Sequence, residues 1–170
     1  MKSMRRKDRE VTNIQEIEDM IQQCKTCHVA MVDGEMPYVI PLSFGYEIKE
    51  DVLTLYFHSA KEGRKMDILH KNNRVCFEMC QEGEPEFAAE TPCNSGYYFS
   101  SIHGFGKVTF LEDVQEKCHA LSLLMKQQAR MEVEFTKEQA DTVCVYKIAT
   151  KDFTGKRKPR KAKEKEHEKL

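Results

Sequence analysis

Two short stretches carry residues whose types and spacing could do chemistry. The first is CKTCH, Cys24 to His28, with two cysteines two residues apart and a histidine directly behind. That spacing suits covalent haem attachment, a redox dithiol or half of a metal site. Zinc would need a second pair at ligand spacing, and Cys76 and Cys80 form only a CxxxC inside a strand-like run. A plainer reading competes. Thr12-Asn13-Ile14-Gln15 resembles a capping box, after which Ile14, Ile17, Ile21 and Cys24 share one helical face. CHVAMV then reads as a strand carrying Cys27, Val29 and Met31 inward. The expectation is that both cysteines are small buried residues and that no metal is held here.

The second stretch is YFHSAKEGRKMDIL, where a strand ends at His58-Ser59 and a tight loop delivers Gly63-Arg64-Lys65 into the first turn of a helix. A helix start offers unpaired N–H groups and the positive end of its dipole, and a glycine lets a ligand approach the backbone closely. Arg64 can make a bidentate pair with a phosphate, and Lys65 adds a point charge. Two cations here oppose the dipole by about 0.3–1 kcal/mol each, so a functional reason is worth seeking. A solvated loop with chance charges is the alternative. The Walker spacing of glycines and lysine is absent, and Gly104-Phe105-Gly106 has neither a third glycine nor a following helix.

These residues must be positioned by a small chain. At 170 residues it suits one domain, able to bury roughly two thirds of its unfolded surface. Net charge is −1, but Lys156–Leu170 holds eight Lys/Arg against three Glu, leaving the remainder acidic. That balance argues against a nucleic-acid-binding domain and marks a basic tail. No apolar run approaches the roughly eighteen residues of a membrane span, and MKSMRRKDRE lacks the apolar stretch of a signal peptide. The chain is therefore expected in the cytoplasm, with its seven cysteines reduced.

The pattern is a strand-rich meander. CHVAMV is followed by the turn signal Asp33-Gly34, then PYVIPLSFGY, whose Pro41 demands an edge or a bulge. VLTLYFHS alternates with Leu53, Leu55 and Phe57 on one face, and RVCFEMC does so with Val75, Phe77 and Met79. Residues 81–96 are polar and acidic, reading as a long connection that is functional or disordered. YYFSSIHGFGKVTFLE resumes as a long strand. DVQEKCHALSLLMKQQ is a helix with Val114, Cys118, Leu121 and Met125 at helical spacing, and VCVYKIATKDF closes the sheet. Six strand-like segments predict a mainly β chain, an antiparallel barrel closed or nearly so, with flanking helices. The barrel domain spans residues 1–155, and a flexible basic tail spans 156–170.

PYVIPLSFGY, LYFHSAKEGRKMDIL, NNRVCFEM, SSIHGFGKVTFLED and FTGKRKP, in that order, resemble the FMN-binding split-barrel proteins related to pyridoxamine 5′-phosphate oxidase. The likeness is to the branch that includes nitroimidazole-resistance proteins. It implies a six-stranded antiparallel split barrel and a homodimer with FMN at the subunit interface. Arg64 and Lys65 then match the pair that grips the FMN phosphate, and Ser59 adds a hydroxyl. Val39, Ile40, Pro41, Leu42 and Ser43 match the strand lying along the flavin ring. His58 matches a histidine beside the flavin, a catalytic candidate that could protonate a substrate accepting hydride. Ser101 matches a serine reaching over from the partner subunit.

This sequence departs from the vitamin oxidase, which carries Arg at the position of Val39 and Lys at that of Phe44, so true pyridoxamine-phosphate oxidation is not expected. The position of His103 is usually apolar in the nitroimidazole branch. The leading expectation is an FMN-dependent oxidoreductase taking electrons from NAD(P)H or another reductant to a small nitro-aromatic or similar acceptor. Alternatives are a non-catalytic flavin-binding stress-response protein, or a haem-binding relative with His28, His103 or His119 as ligand.

Overall fold

Asn13 starts helix α1 (Ile14–Gln23) by accepting the Glu16 N–H on its side chain, one residue later than the expected box at Thr12. Ile17, Met20 and Ile21 face inward, and the helix stops at Cys24. The computed structural model describes residues 4–88 and 90–158. The basic segment from Pro159 onward lies outside the described residues.

A nine-stranded antiparallel sheet follows: β1 (Glu10–Val11), β2 (Cys27–Asp33), β3 (Met36–Leu42), β4 (Gly45–Lys49), β5 (Val52–Ser59), β6 (Arg74–Glu86), β7 (Gly96–Phe110), β8 (Cys144–Thr150) and β9 (Phe153–Lys158). Helices α2 (Arg64–Lys71), α3 (Val114–Ala129) and α4 (Lys137–Ala140) flank it. Neighbouring strands run β3-β2-β6-β7-β8-β5-β4, with β9 joined to β7 and β1 to β9. This is a split barrel, mainly β with flanking helices, and its ladder does not close.

The strand number corrects the expected six. PYVIPLSFGY divides at Ser43-Phe44, because β3 pairs with β2 whereas β4 pairs with β5. VCVYKIATKDF divides at Lys151-Asp152 into β8, beside β5, and β9, beside β7. Strand β9 continues to Lys158, so Lys156, Arg157 and Lys158 belong to the sheet rather than to a frayed tail. Arg157 pairs with Glu16 and Lys158 with Glu86. The two ends of the 81–96 stretch are also paired. β6 runs on to Glu86 and β7 starts at Gly96, with an irregularity between Glu82 and Pro85.

The barrel interior is filled by Phe44, Leu53, Leu55, Phe57, Phe77, Met79, Ile102 and Ile148, all fully buried, as strand alternation requires. Strand β7 joins the two halves. One edge pairs with β6, while the other pairs with β9 over Phe99–Gly104 and with β8 over Val108–Phe110. The hand-over needs a small residue: a Cβ on Gly104 would lie 2.4 Å from Phe77 Cζ and 2.9 Å from Asp152 O.

Helices α1 and α3 cap each other's ends. Gln127 Nε2 donates to Ile21 O (3.0 Å) and Cys24 O (2.6 Å), and Arg130 donates to Gln22 O. In return Lys25 Nζ donates to Gln127 O and Gln128 O. The buried face of α3 is Ala120, Leu121, Leu124 and Gln127, about a third of a turn from the expected one at its ends. No helix among the described residues is long and apolar enough to cross a membrane.

Candidate functional site

Strand β5 ends at Ser59, the loop Ala60–Gly63 reverses the chain, and α2 opens with two adjacent cations. Gly63 takes a left-handed backbone (φ +126) and supplies no side-chain cap. Nothing lies within 4 Å of the point where its Cβ would be. The first-turn N–H groups of α2 therefore open onto an uncrowded approach, the geometry that suits an anion.

Neither cation hangs free. Arg64 Nε donates to Asp33 Oδ2 at 3.0 Å, and its guanidinium carbon lies 4.7 Å from the Tyr38 ring centroid. Asp33 ends β2 and Tyr38 lies in β3, so this contact ties the cradle to the β2–β3 hairpin. Lys65 points the other way, with Nζ 5.6 Å from the Tyr146 ring centroid. It is half-buried and has no carboxylate partner among the described residues. Burial pulls its pKa below the usual lysine value, with Cys144 opposing in part. Ser59 Oγ sits 2.8 Å from Ala60 O and 3.3 Å from Met66 Sδ, so its one proton is engaged locally. Tyr146 stacks on Phe57, and its hydroxyl is buried near Ser59, with no well-formed hydrogen bond among the described residues.

The ring-side candidates lie on β3, an edge strand whose one neighbour is β2. Pro37 and Pro41 have no N–H to offer, consistent with an outer edge left unpaired. Ile40 and Leu42 pack against the core, whereas Val39, Pro41 and Ser43 are exposed. Tyr38 links this strand to Arg64, so one chain brings β3 and the start of α2 together.

His58 lies close enough to Lys65 to feel its charge, whereas Ser101 stands apart. Successive strand residues face opposite ways, so His58 projects from the face of β5 opposite to Ser59. Partial desolvation, then the Lys65 charge, lowers its pKa. Ser101 lies on β7, three strands from β3 in the sheet order, about 14 Å at ordinary strand spacing. Within one chain it does not come beside β3.

The structure splits CKTCH. Cys24 and Cys27 are core residues, and burial pushes both thiols up, Cys24 to about 11. His28 faces outward, 3.3 Å from Glu78. On the same outer face His103 Nε2 lies 3.1 Å from Cys76 Sγ. His119, on α3, sits edge-on to Tyr56 and 3.5 Å from Glu47. Among the described residues no three or more His, Cys, Asp or Glu are grouped to hold a metal ion. On that outer face Val32, Val39 and Phe105 are exposed, Phe105 by 43% and Val39 by 60%. Val39 and Phe105 fall in one cross-strand row with Ala30 and Cys76.

Asp33 and Tyr38 carry no signal in the sequence beyond a hairpin turn and a strand aromatic. Their roles come from α2 folding back over the hairpin.

A family model described as pyridoxamine 5′-phosphate oxidase matches residues 13–157. The chain belongs to that family. No curated protein matches it. Among solved structures, a candidate 5-nitroimidazole antibiotic resistance protein from Bacteroides thetaiotaomicron is 34% identical, with a TM-score of 0.73 over 86% of this chain and 85% of that one. The flavocytochrome Anf3 from Azotobacter vinelandii superposes with a TM-score of 0.74 at 16% identity, covering 93% of this chain and 73% of its own. The FAD and heme binding protein from Mycobacterium smegmatis gives 0.72 at 16% identity, covering 91% and 77%. The two likenesses at 16% identity bear on the fold alone. Family membership agrees with the motifs from PYVIPLSFGY to FTGKRKP and with the mainly β split barrel.

Proposed function

We propose that this chain binds FMN and acts as a flavin-dependent oxidoreductase toward a small nitro-aromatic or similar acceptor. The observation that carries the reading is Lys65, a half-buried ammonium with no acid partner among the described residues, beside a helix start that no side chain caps. A partly desolvated charge of this kind is relieved by an anion. Arg64 lies next to it with a guanidinium suited to phosphate.

The ring would lie along β3, Val39 to Ser43, whose unpaired edge can meet the polar rim of a flavin without adding charge. Bound FMN supplies electron transfer between NAD(P)H, or another reductant, and the acceptor. The chain's own residues bind and orient: Arg64 and Lys65 hold the phosphate, and Ile40 and Leu42 keep β3 seated on the core. A homodimer formed across the apolar outer face brings Ser101 of a second copy toward that ring. Val39 and Phe44 stand where the vitamin oxidase has cations, so pyridoxamine phosphate is not the proposed substrate.

Titration of apo-protein with FMN, followed by flavin fluorescence, tests the cradle. Arg64→Ala with Lys65→Ala is expected to weaken FMN by about a hundredfold or more, since each charged hydrogen-bonding group contributes about 1.5–3 kcal/mol. Unchanged affinity would exclude the cradle. The placement of His58, with no carboxylate partner among the described residues and on the face of β5 away from Ser59, favours a second reading as well. In that reading the chain holds FMN without turnover. Reoxidation of the reduced flavin across nitro-aromatic acceptors separates the two, because a non-catalytic binder shows no rate above free FMN.

A further inference from the structure

We infer that Asp33 and Tyr38 are positioning residues that hold Arg64 ready for a phosphate monoester, giving the pocket its preference for phosphorylated over unphosphorylated flavin. The inference rests on the flavin reading above and adds to it two residues outside the expected cradle. Asp33 Oδ2 takes only the Nε proton of Arg64, at 3.0 Å. The terminal NH2 groups make no hydrogen bond among the described residues, and these are the groups that present a planar fork to a phosphate. The Tyr38 ring lies 4.7 Å from the guanidinium carbon, flooring the same group from β3. One partner fixes the edge of the guanidinium and the other its face.

The contact has little structural motive. The Arg64 side chain is 62% exposed, and ion pairs at that exposure contribute little to stability. A long side chain nonetheless loses rotamer freedom in it. When a phosphate arrives, that freedom has already been given up, so more of the contact appears as affinity. Asp33 also carries a negative charge, which by itself repels a phosphate. Positioning and repulsion make opposite predictions for removing the carboxylate, so experiment can decide between them.

Affinities for FMN and riboflavin are measured by fluorescence titration on the full-length chain and on Asp33→Ala, Asp33→Asn and Tyr38→Leu. Positioning predicts that Asp33→Ala weakens FMN by about tenfold while riboflavin stays within about twofold. Asp33→Asn keeps an oxygen to accept the Nε proton and should recover most of the loss. Tyr38→Leu should also lower the FMN-to-riboflavin ratio. FMN binding that is unchanged or tighter in Asp33→Ala overturns the inference, as does an equal loss of riboflavin affinity. If wild-type protein binds neither flavin, the flavin reading fails by itself. The role of Asp33 is then read from the Arg64 Nε–H NMR signal during inorganic phosphate titration. A phosphate-induced shift weaker in Asp33→Ala supports it, and equal or absent shifts sink it.

Discussion

Lys65 sets the pH behaviour to be expected of the site. Its pKa is lowered by burial, so the folded chain releases that proton below the usual lysine value. As pH rises through the lowered pKa, the ammonium and its attraction for phosphate are lost together. FMN affinity should therefore fall at a lower pH in wild type than an ordinary lysine would give, and Lys65→Met should flatten that limb; fluorescence titrations across alkaline pH check both. Stability runs the other way. A lowered folded pKa penalises the charged form, so the Lys65 contribution to folding improves between the folded and unfolded pKa values. His58 obeys the same sign in a lower window. Its protonation opposes folding as pH falls from about 6.5 toward the lowered folded value. Arg64 and Lys65 were legible in the sequence because a strand-loop-helix passage fixes where their backbone sits. Asp33 was not, since its partner lies 31 residues away in sequence and only folding brings α2 over the hairpin. The alternation of VLTLYFHS already set His58 against Ser59; what it could not supply was the nearness of the Lys65 charge.

Among the elements, the ends of α1 and α3 depend on each other more than either depends on its own sequence. Gln127 is 3% exposed and satisfies the carbonyls of Ile21 and Cys24. Gln127→Leu removes the side-chain donor from both; Ile21 O keeps the Cys24 N–H, whereas Cys24 O loses its 2.6 Å bond. The substitution should cost about 1–3 kcal/mol, seen as a lower denaturant midpoint at unchanged slope. This buried polar contact explains why the inner face of α3 was misjudged. Apolar spacing selected Val114, Cys118, Leu121 and Met125, but a glutamine takes one of the core-facing positions. The split of PYVIPLSFGY escaped the sequence for a related reason. Both halves are good strand, and only the choice between β2 and β5 as partner separates them. Turns were easier to read, because Asp33-Gly34 carries its own conformational preference.

At the scale of the whole molecule, the proposed homodimer would meet across the outer face joining Val39, Ala30, Cys76 and Phe105. Phe105→Glu places a charge in the middle of that row. It should convert the dimer to monomer in analytical ultracentrifugation and weaken FMN through loss of the partner's contribution. Met131→Glu, at an exposed methionine following α3, should change neither. If Phe105→Glu leaves the sedimentation coefficient and FMN affinity unaltered, this face is not the dimer contact. The barrel class was readable from strand-like runs and short turns. The nine-strand count was not, because β1 is two residues long and β9 reads as part of a basic tail.

Strand β7 bears on how such a chain can come apart. Its fifteen residues serve β6 along one side and β9, then β8, along the other, so neither half of the barrel owns it. Peeling away either half strips main-chain partners from the middle of the remaining one. The architecture thus resists half-open forms, and the polypeptide should lose its order in a single concerted step.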